Sequence, residues 1–136
     1  MAFNWTSLDD QDAVSVPARP ASGFWTPVRS YVGAGTLLRI QASGQWRPLP
    51  NIACGPDGLR QWPYGRDRLL AKAAPPGTLI GKIGGGTSYA AEADIIVIGS
   101  LCVLKLDKVE GPLFLTINDA PDGFEDNDGA LTVSFS

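Results

Sequence analysis

The C-terminal third of the chain contains Pro112-Leu-Phe-Leu-Thr-Ile-Asn118, then Asp119-Ala-Pro-Asp-Gly-Phe-Glu-Asp-Asn-Asp-Gly129, then Ala130-Leu-Thr-Val-Ser-Phe135. The first run is apolar and the third alternates apolar and polar residues, which is typical of two strands joined by a surface loop. The loop between them is crowded with carboxylate and amide side chains. Such oxygens are the ligands that Ca²⁺ prefers. The stretch therefore predicts β-structure that carries a candidate cation site.

The rest of the chain also indicates strands. Sixteen Gly and eleven Pro divide it into short segments that alternate or are rich in β-branched residues, and helix signals are scarce. We predict strands near residues 13–16, 25–32, 36–42, 78–83, 93–98, 102–106, 113–118 and 131–134. This spacing predicts one all-β domain over residues 1–136, a jelly-roll-like β-sandwich of two antiparallel sheets. Residues 45–68 lack a clear period, and we expect them to form a long functional loop.

Composition excludes several functions. A net charge of -3 argues against nucleic-acid binding, which usually requires a basic face. The chain has no histidine, so the usual general base, the usual zinc ligand and the Ser-His-Asp arrangement are absent. The longest apolar stretch, residues 93–106, contains Asp94 and Lys105 and is too short to span a bilayer. The first residues lack a signal-peptide pattern, which predicts a cytoplasmic location or release by a route without such a signal.

The cysteines and tryptophans leave structural alternatives open. Cys54 and Cys102 allow either one disulfide or two reduced thiols in the core. Trp5, Trp25 and Trp46 are expected in the core or at its rim, because sandwich cores commonly bury a tryptophan.

Two familiar motifs fail on spacing. If Gly129 is the invariant glycine of an EF-hand, Phe124 and Phe135 occupy positions that need carboxylates. Gly77 to Lys82 differs from a phosphate-binding loop, because it has three residues between its glycines and Ile83 follows the lysine. On composition alone, the acidic loop is also compatible with a solvated hairpin turn, since Asp, Asn and Gly favour turns.

The pattern around the loop resembles a known family. Ile117-Asn-Asp-Ala-Pro121, followed by Gly123, Asp126-Asn127 and Gly129, is similar to the C-terminal loop of the PA-I type (LecA-like) calcium-dependent, galactose-binding bacterial lectins. The likeness extends over about residues 23–135 through four further matches: Val109-Glu-Gly111, Lys82-Ile-Gly84, Gly55-Pro-Asp-Gly58, and Gly35 to Gly44, which resembles the strand before the binding-site loop.

The resemblance implies a ligand set. Calcium would be held by the side chains of Asp119, Asp126 and Asn127 and by the backbone carbonyls of Gly123 and Pro48. Two sugar hydroxyls would then fill coordination sites that Ca²⁺ has to spare. The residues placed against the sugar are Pro48, Trp62, Asp119, Ala120, Asp126 and Asn127. Trp62 stands where the family has a histidine, and its ring is suited to packing on the apolar side of a sugar.

The function implied is a non-enzymatic lectin for galactose or a galactose-containing glycan. A homo-oligomer is expected, as in the tetrameric family members, because weak sugar sites gain from engaging together. A glycosidase with Asp119 and Asp126 as acid and base is disfavoured, because the two carboxylates lie in one short loop rather than across a cleft. A second alternative is a structural or interaction module that calcium stabilises and in which sugar binding is altered or lost.

Overall fold

A computed structural model describes residues 13–60, 66–86 and 94–136. These residues form two antiparallel sheets, which confirms the predicted all-β sandwich. The strands are β1 (Ala13–Pro17), β2 (Thr26–Val32), β3 (Leu37–Leu49), β4 (Ile52–Cys54), β5 (Leu79–Ile83), β6 (Ile96–Val97), β7 (Leu101–Lys105), β8 (Gly111–Ile117) and β9 (Asp128–Phe135). No helix in the described part of the chain is long and apolar enough to cross a membrane.

The acidic loop connects the two sheets. One sheet has the order β1-β9-β3-β4, with β7 also paired to β3, and the other has the order β2-β8-β5-β6. Strand β8 therefore lies in one sheet and β9 in the other. The hairpin-turn interpretation of the loop is wrong, because its flanking strands pair with other strands and not with each other.

The core lies between the sheets and follows the two-residue period of the strands. Alternating residues of β3 and β9 point inward, and β8 is buried on both faces beyond its first two residues. The largest fully buried side chains include Trp25, Trp46, Ile40, Leu79, Leu113, Leu115, Ile117, Leu131 and Val133. Burial of Trp25 and Trp46 confirms their expected core position, and Trp5 lies outside the described residues. The indole of Trp46 donates a 2.8 Å hydrogen bond to the carbonyl of Gly77.

The predicted loop over residues 45–68 is wrong in its first part. Strand β3 continues to Leu49, turns through Asn51 at a φ of 66°, and pairs back as β4. Pro48 favoured a loop over a strand in the sequence, because proline interrupts strand pairing. Here it lies beyond the last β3–β9 pair, Arg47 with Asp128, and within the irregular part of the β3–β4 register. Its missing N–H is therefore tolerated.

The strand predicted over residues 93–98 is shorter than expected, because only Ile96 and Val97 pair with β5.

The disulfide alternative for the two cysteines is excluded. Cys54 and Cys102 are free, and they pair with β3 at Trp46 and Ile40, which are about 20 Å apart at the usual rise of a strand. Burial raises the pKa of the Cys54 thiol to about 11, which makes it unreactive at neutral pH.

Candidate functional site

A short 3₁₀ helix, Pro121–Asp126, shapes the acidic loop at one end of the sandwich. Phe124 anchors it, since its buried ring packs on Phe24 with 5.2 Å between ring centroids. The carboxylates of the helix stay exposed. Asp119 and Asn127, which flank the helix, are each only 3% exposed. The loop thus presents two inward polar side chains beneath a rim of exposed acids.

The carboxylate of Asp119 is buried, and no cationic side chain of the described residues forms an ion pair with it. Its Oδ1 accepts a 2.7 Å hydrogen bond from the N–H of Ala120, whereas Oδ2 has no partner among the described residues. Burial raises the pKa of Asp119 to about 6. The N–H of Ala120 and the amide of Asn127 lower that pKa in part, and the charges of Asp122 and Asp126 raise it further. An acid in this setting is stabilised by a nearby cation.

Asn127 presents a second unpaired oxygen. Its Nδ2 donates a 3.0 Å hydrogen bond to the carbonyl of Ala18, and the N–H of Ala18 donates to the carbonyl of Gly129. The other amide atom, Oδ1, is buried and accepts no hydrogen bond within the described segments. The segment after β1 therefore orients Asn127, a contribution that the sequence did not reveal.

Of the remaining predicted ligands, Gly123 and Asp126 lie in the same loop and Pro48 lies on β3. A Cβ added to Gly123 would be 2.9 Å from Oδ1 of Asp119 and 3.3 Å from Oδ2, so the glycine backbone packs directly on the carboxylate. Asp126 is exposed, and its charge acts on Asp119. Pro48 is buried on β3 one residue beyond Arg47, whose partner Asp128 follows the loop. Trp62 lies outside the described residues.

Asn118 is a residue of the site whose role the sequence did not reveal. Its side chain is completely buried, and Oδ1 accepts from the N–H of Ala71 at 2.9 Å. Its Nδ2 donates to the carbonyls of Ala71, Ala74 and Pro75 at 2.9, 3.1 and 3.0 Å. Next to it, the carbonyl of Asp119 accepts from the N–H of Leu70 at 3.1 Å. These bonds fasten residues 70–75 to the loop.

Arginines surround the rim of the loop. Arg68 contacts Asp122 at 2.5 Å, and Arg47 contacts Asp128 at 2.6 Å. Arg19 donates to the carbonyl of Glu125 at 3.4 Å. The two ion pairs are largely exposed, so each contributes at most about 1 kcal/mol to stability.

The donors fit a hard cation. The described residues contain no group of three or more His, Cys, Asp or Glu placed to share a metal, so a cage built of carboxylates alone is not found there. The predicted ligand set instead combines the two carboxylates of Asp119 and Asp126, the amide of Asn127 and backbone carbonyls, all of them oxygen donors of the kind that Ca²⁺ takes. A buried acceptor without a donor costs about 1–3 kcal/mol. A cation bound at the loop would supply the partner that Asp119 Oδ2 and Asn127 Oδ1 lack among the described residues.

A cavity of about 540 Å³ lies at the opposite end of the sandwich. Its walls include Ile83, which pairs with Leu113 near the start of β8, whereas the acidic loop follows the end of β8. The rest of the wall mixes apolar residues with four charged ones, Asp94, Lys105, Asp107 and Lys108. The cavity is therefore separate from the loop, and the unpaired oxygens, not the cavity, mark the candidate site.

No protein-family model matches the chain, and no curated protein matches it. Among solved structures it is similar to the N-terminal domain of EclA, described as a PllA-like lectin. The match has a TM-score of 0.65 and covers 92% of this chain and 94% of that one, at 21% sequence identity. At this identity the likeness establishes the fold. The protein has a lectin-like β-sandwich fold.

Proposed function

We propose that this protein is a calcium-dependent lectin that binds galactose or a galactose-containing glycan at the acidic loop. The single observation that carries the proposal is the pair of buried oxygens, Asp119 Oδ2 and Asn127 Oδ1, that lack a donor among the described residues. Both belong to side chains that the sequence predicts as calcium ligands. The fold shared with a lectin domain supports the carbohydrate part of the proposal.

Five residues would hold the ion: Asp119, Asp126 and Asn127 by their side chains, and Gly123 and Pro48 by their carbonyls. Ca²⁺ accepts six to eight oxygens in flexible geometry, whereas Mg²⁺ demands a near-ideal octahedron and retains water. The bound ion supplies coordination sites for two neighbouring sugar hydroxyls. We place Ala120 and Trp62 against the same sugar, and we assign no catalytic role to the carboxylates. Because one sugar site is weak, we propose a homo-oligomer as the working form.

The proposal is tested by calorimetric titration with methyl galactoside in Ca²⁺ and again in EDTA, together with thermal unfolding. We expect binding in Ca²⁺ and its loss in EDTA. The melting temperature should rise with Ca²⁺ and rise again when sugar is added. A rise with Ca²⁺ alone, and none with a panel of sugars, would favour the structural module. Undiminished galactoside binding in EDTA would rule out the calcium site, and release of reducing sugar from a glycan would indicate a glycosidase.

Gly123→Ala is expected to weaken calcium binding, because the added methyl group would lie 2.9 Å from Oδ1 of Asp119 and displace the carboxylate. Loss of one well-placed oxygen ligand corresponds to an affinity decrease of about tenfold or more. Gly33→Ala is the matched control, since its Cβ meets only ordinary contacts of 3.5 Å or more and lies far from the loop. Calcium titration of both variants checks the prediction. Equal calcium affinities of the two variants would show that the Gly123 backbone is not part of the site.

A further inference from the structure

Arg68 lies at the rim of the candidate site. Its Nη2 is 2.5 Å from Oδ2 of Asp122 in the 3₁₀ helix. Asp122 precedes Gly123, whose backbone packs on the carboxylate of Asp119, and the charge of Asp122 acts on that carboxylate. The guanidinium is therefore paired with the 3₁₀ helix that carries Gly123.

The backbone that carries Arg68 is firmly held. Leu69 is buried, and its N–H donates to the carbonyl of Arg66 at 3.0 Å. The N–H of Leu70 donates to the carbonyl of Asp119, and the N–H of Ala71 to the side chain of Asn118. Groups on a supported backbone keep the geometry that recognition requires. Arg68 thus projects from a fixed point beside the loop.

The guanidinium of Arg68 has N–H groups that are accessible to a ligand. Its side chain is 71% exposed, and within the described segments it donates one hydrogen bond, to Asp122. An exposed ion pair of this kind contributes little to stability. A guanidinium carries five N–H donors in a planar fork that matches a carboxylate or sulfate group. The arrangement suits ligand recognition better than structural support.

The charge balance of the calcium-loaded loop also permits an anionic ligand to bind. The five carboxylates are those of Asp119, Asp122, Glu125, Asp126 and Asp128. One bound Ca²⁺ and the three arginines of the rim, Arg19, Arg47 and Arg68, carry five positive charges in compensation. The loaded site is then close to neutral and does not repel an acidic sugar.

We propose that Arg68 contacts the bound sugar and gives the site a preference for galactose-type sugars that carry a carboxylate or a sulfate. This inference rests on the proposed lectin function. Charge-assisted hydrogen bonds are about twice as strong as neutral ones, and those from Arg to a carboxylate or similar anion are often bidentate. The preference would therefore come from Arg68 and not from the calcium ion, which any galactoside reaches.

The test is calorimetric titration at saturating Ca²⁺ with methyl galactoside, galacturonic acid and galactosides sulfated at position 2, 3 or 6. The wild-type protein is expected to bind at least one acidic sugar about tenfold more tightly than the neutral one. Arg68→Ala should reduce that ratio to about one, with calcium affinity unchanged and neutral-sugar affinity changed by less than about threefold. The separate arms show whether a carboxylate or a sulfate is preferred.

Arg47→Ala is the matched control, because it removes the same charge from an exposed ion pair with the same loop. It should keep the preference for acidic sugars. A wild-type protein without the preference, a preference that survives Arg68→Ala, or an equal loss in Arg47→Ala would overturn the inference. Failure to bind any sugar, neutral or acidic, would overturn the lectin proposal as well, whereas calcium-dependent binding of the neutral sugar alone would leave that proposal standing.

Discussion

Asp119→Asn is expected to stabilise the calcium-free protein at pH 7 and to abolish its stabilisation by calcium. The pKa of Asp119 rises from 3.8 to about 6 on folding, because the carboxylate is buried. The ionised form therefore destabilises the native state by about 3 kcal/mol at neutral pH. Asparagine has the same shape, keeps an oxygen for the N–H of Ala120, and carries no charge into the buried position. We expect a gain of about 1–3 kcal/mol in the free energy of unfolding.

Denaturant unfolding in EDTA and in millimolar Ca²⁺ measures both effects. Calcium at about 100 times its dissociation constant should stabilise the wild-type protein by about 2.7 kcal/mol and leave the variant unchanged. If the variant gains less than about 2.7 kcal/mol, the order of stability of the two proteins reverses when calcium is added. Asp128→Asn is the control, since it removes an exposed carboxylate of the same loop whose pKa is lowered, chiefly by its hydrogen bond from Arg47. It should respond to calcium like the wild type. An equal response of Asp119→Asn would contradict the assigned ligand.

The pH dependence of the calcium-free protein provides a second measure of the same carboxylate. The folded-state pKa of Asp119 is raised, so its contribution to stability is fully present below about pH 4 and is lost as the pH rises through about 6. Relative to Asp119→Asn, the wild-type protein should therefore gain stability as the pH falls from 7 to 4. Over the same interval calcium affinity should decrease, because protons compete with the ion for the carboxylate.

The strands around the loop were predictable, but their pairing was not. Alternation in residues 130–135 and the apolar run in residues 112–118 indicate two strands, and both are observed. Periodicity shows which face of a strand is buried and not which strand lies beside it. For this reason the sequence did not show that β8 and β9 lie in different sheets. The β3–β4 hairpin escaped prediction because Pro48 and Pro50 suggest a loop. Only the register of the sheet shows that the pairing tolerates them.

The candidate site was also predictable only in part. Asp119, Gly123, Asp126 and Asn127 are close in sequence, so they were visible as one candidate cluster. The groups that orient them come from distant segments, as with Ala18, which is 109 residues from Asn127. No local pattern contains such contacts, which form only when the sheets pack. The sequence therefore predicts oxygen donors for an ion and leaves out what holds them in place.

Asn118→Ala is expected to destabilise the protein by about 3–5 kcal/mol and to weaken sugar binding more than calcium binding. The substitution removes the hydrogen-bond partner of the buried N–H of Ala71 and of the carbonyl of Ala74. The carbonyls of Ala71 and Pro75 lose one donor each but keep those of Ala74 and Thr78. Residues 70–75 would lose four hydrogen bonds to the loop, and we expect the position of Arg68 to become less fixed. Asp119 itself stays attached to β8, so its part of the calcium site should be affected less.

Three measurements separate this role from general destabilisation. Denaturant unfolding gives the loss of stability. Titrations at a temperature where the variant is folded give the two affinities, and hydrogen exchange should show lost protection at the N–H of Ala71 and Leu70. Thr116→Val is the matched control, since Thr116 is equally buried two residues earlier, on β8, and its hydroxyl has no partner among the described residues. Removing that hydroxyl should cost no stability, because no hydrogen bond is broken. If exchange at Ala71 is as slow in Asn118→Ala as in the control, then Asn118 does not hold this segment, and the rigid support inferred for Arg68 has another source.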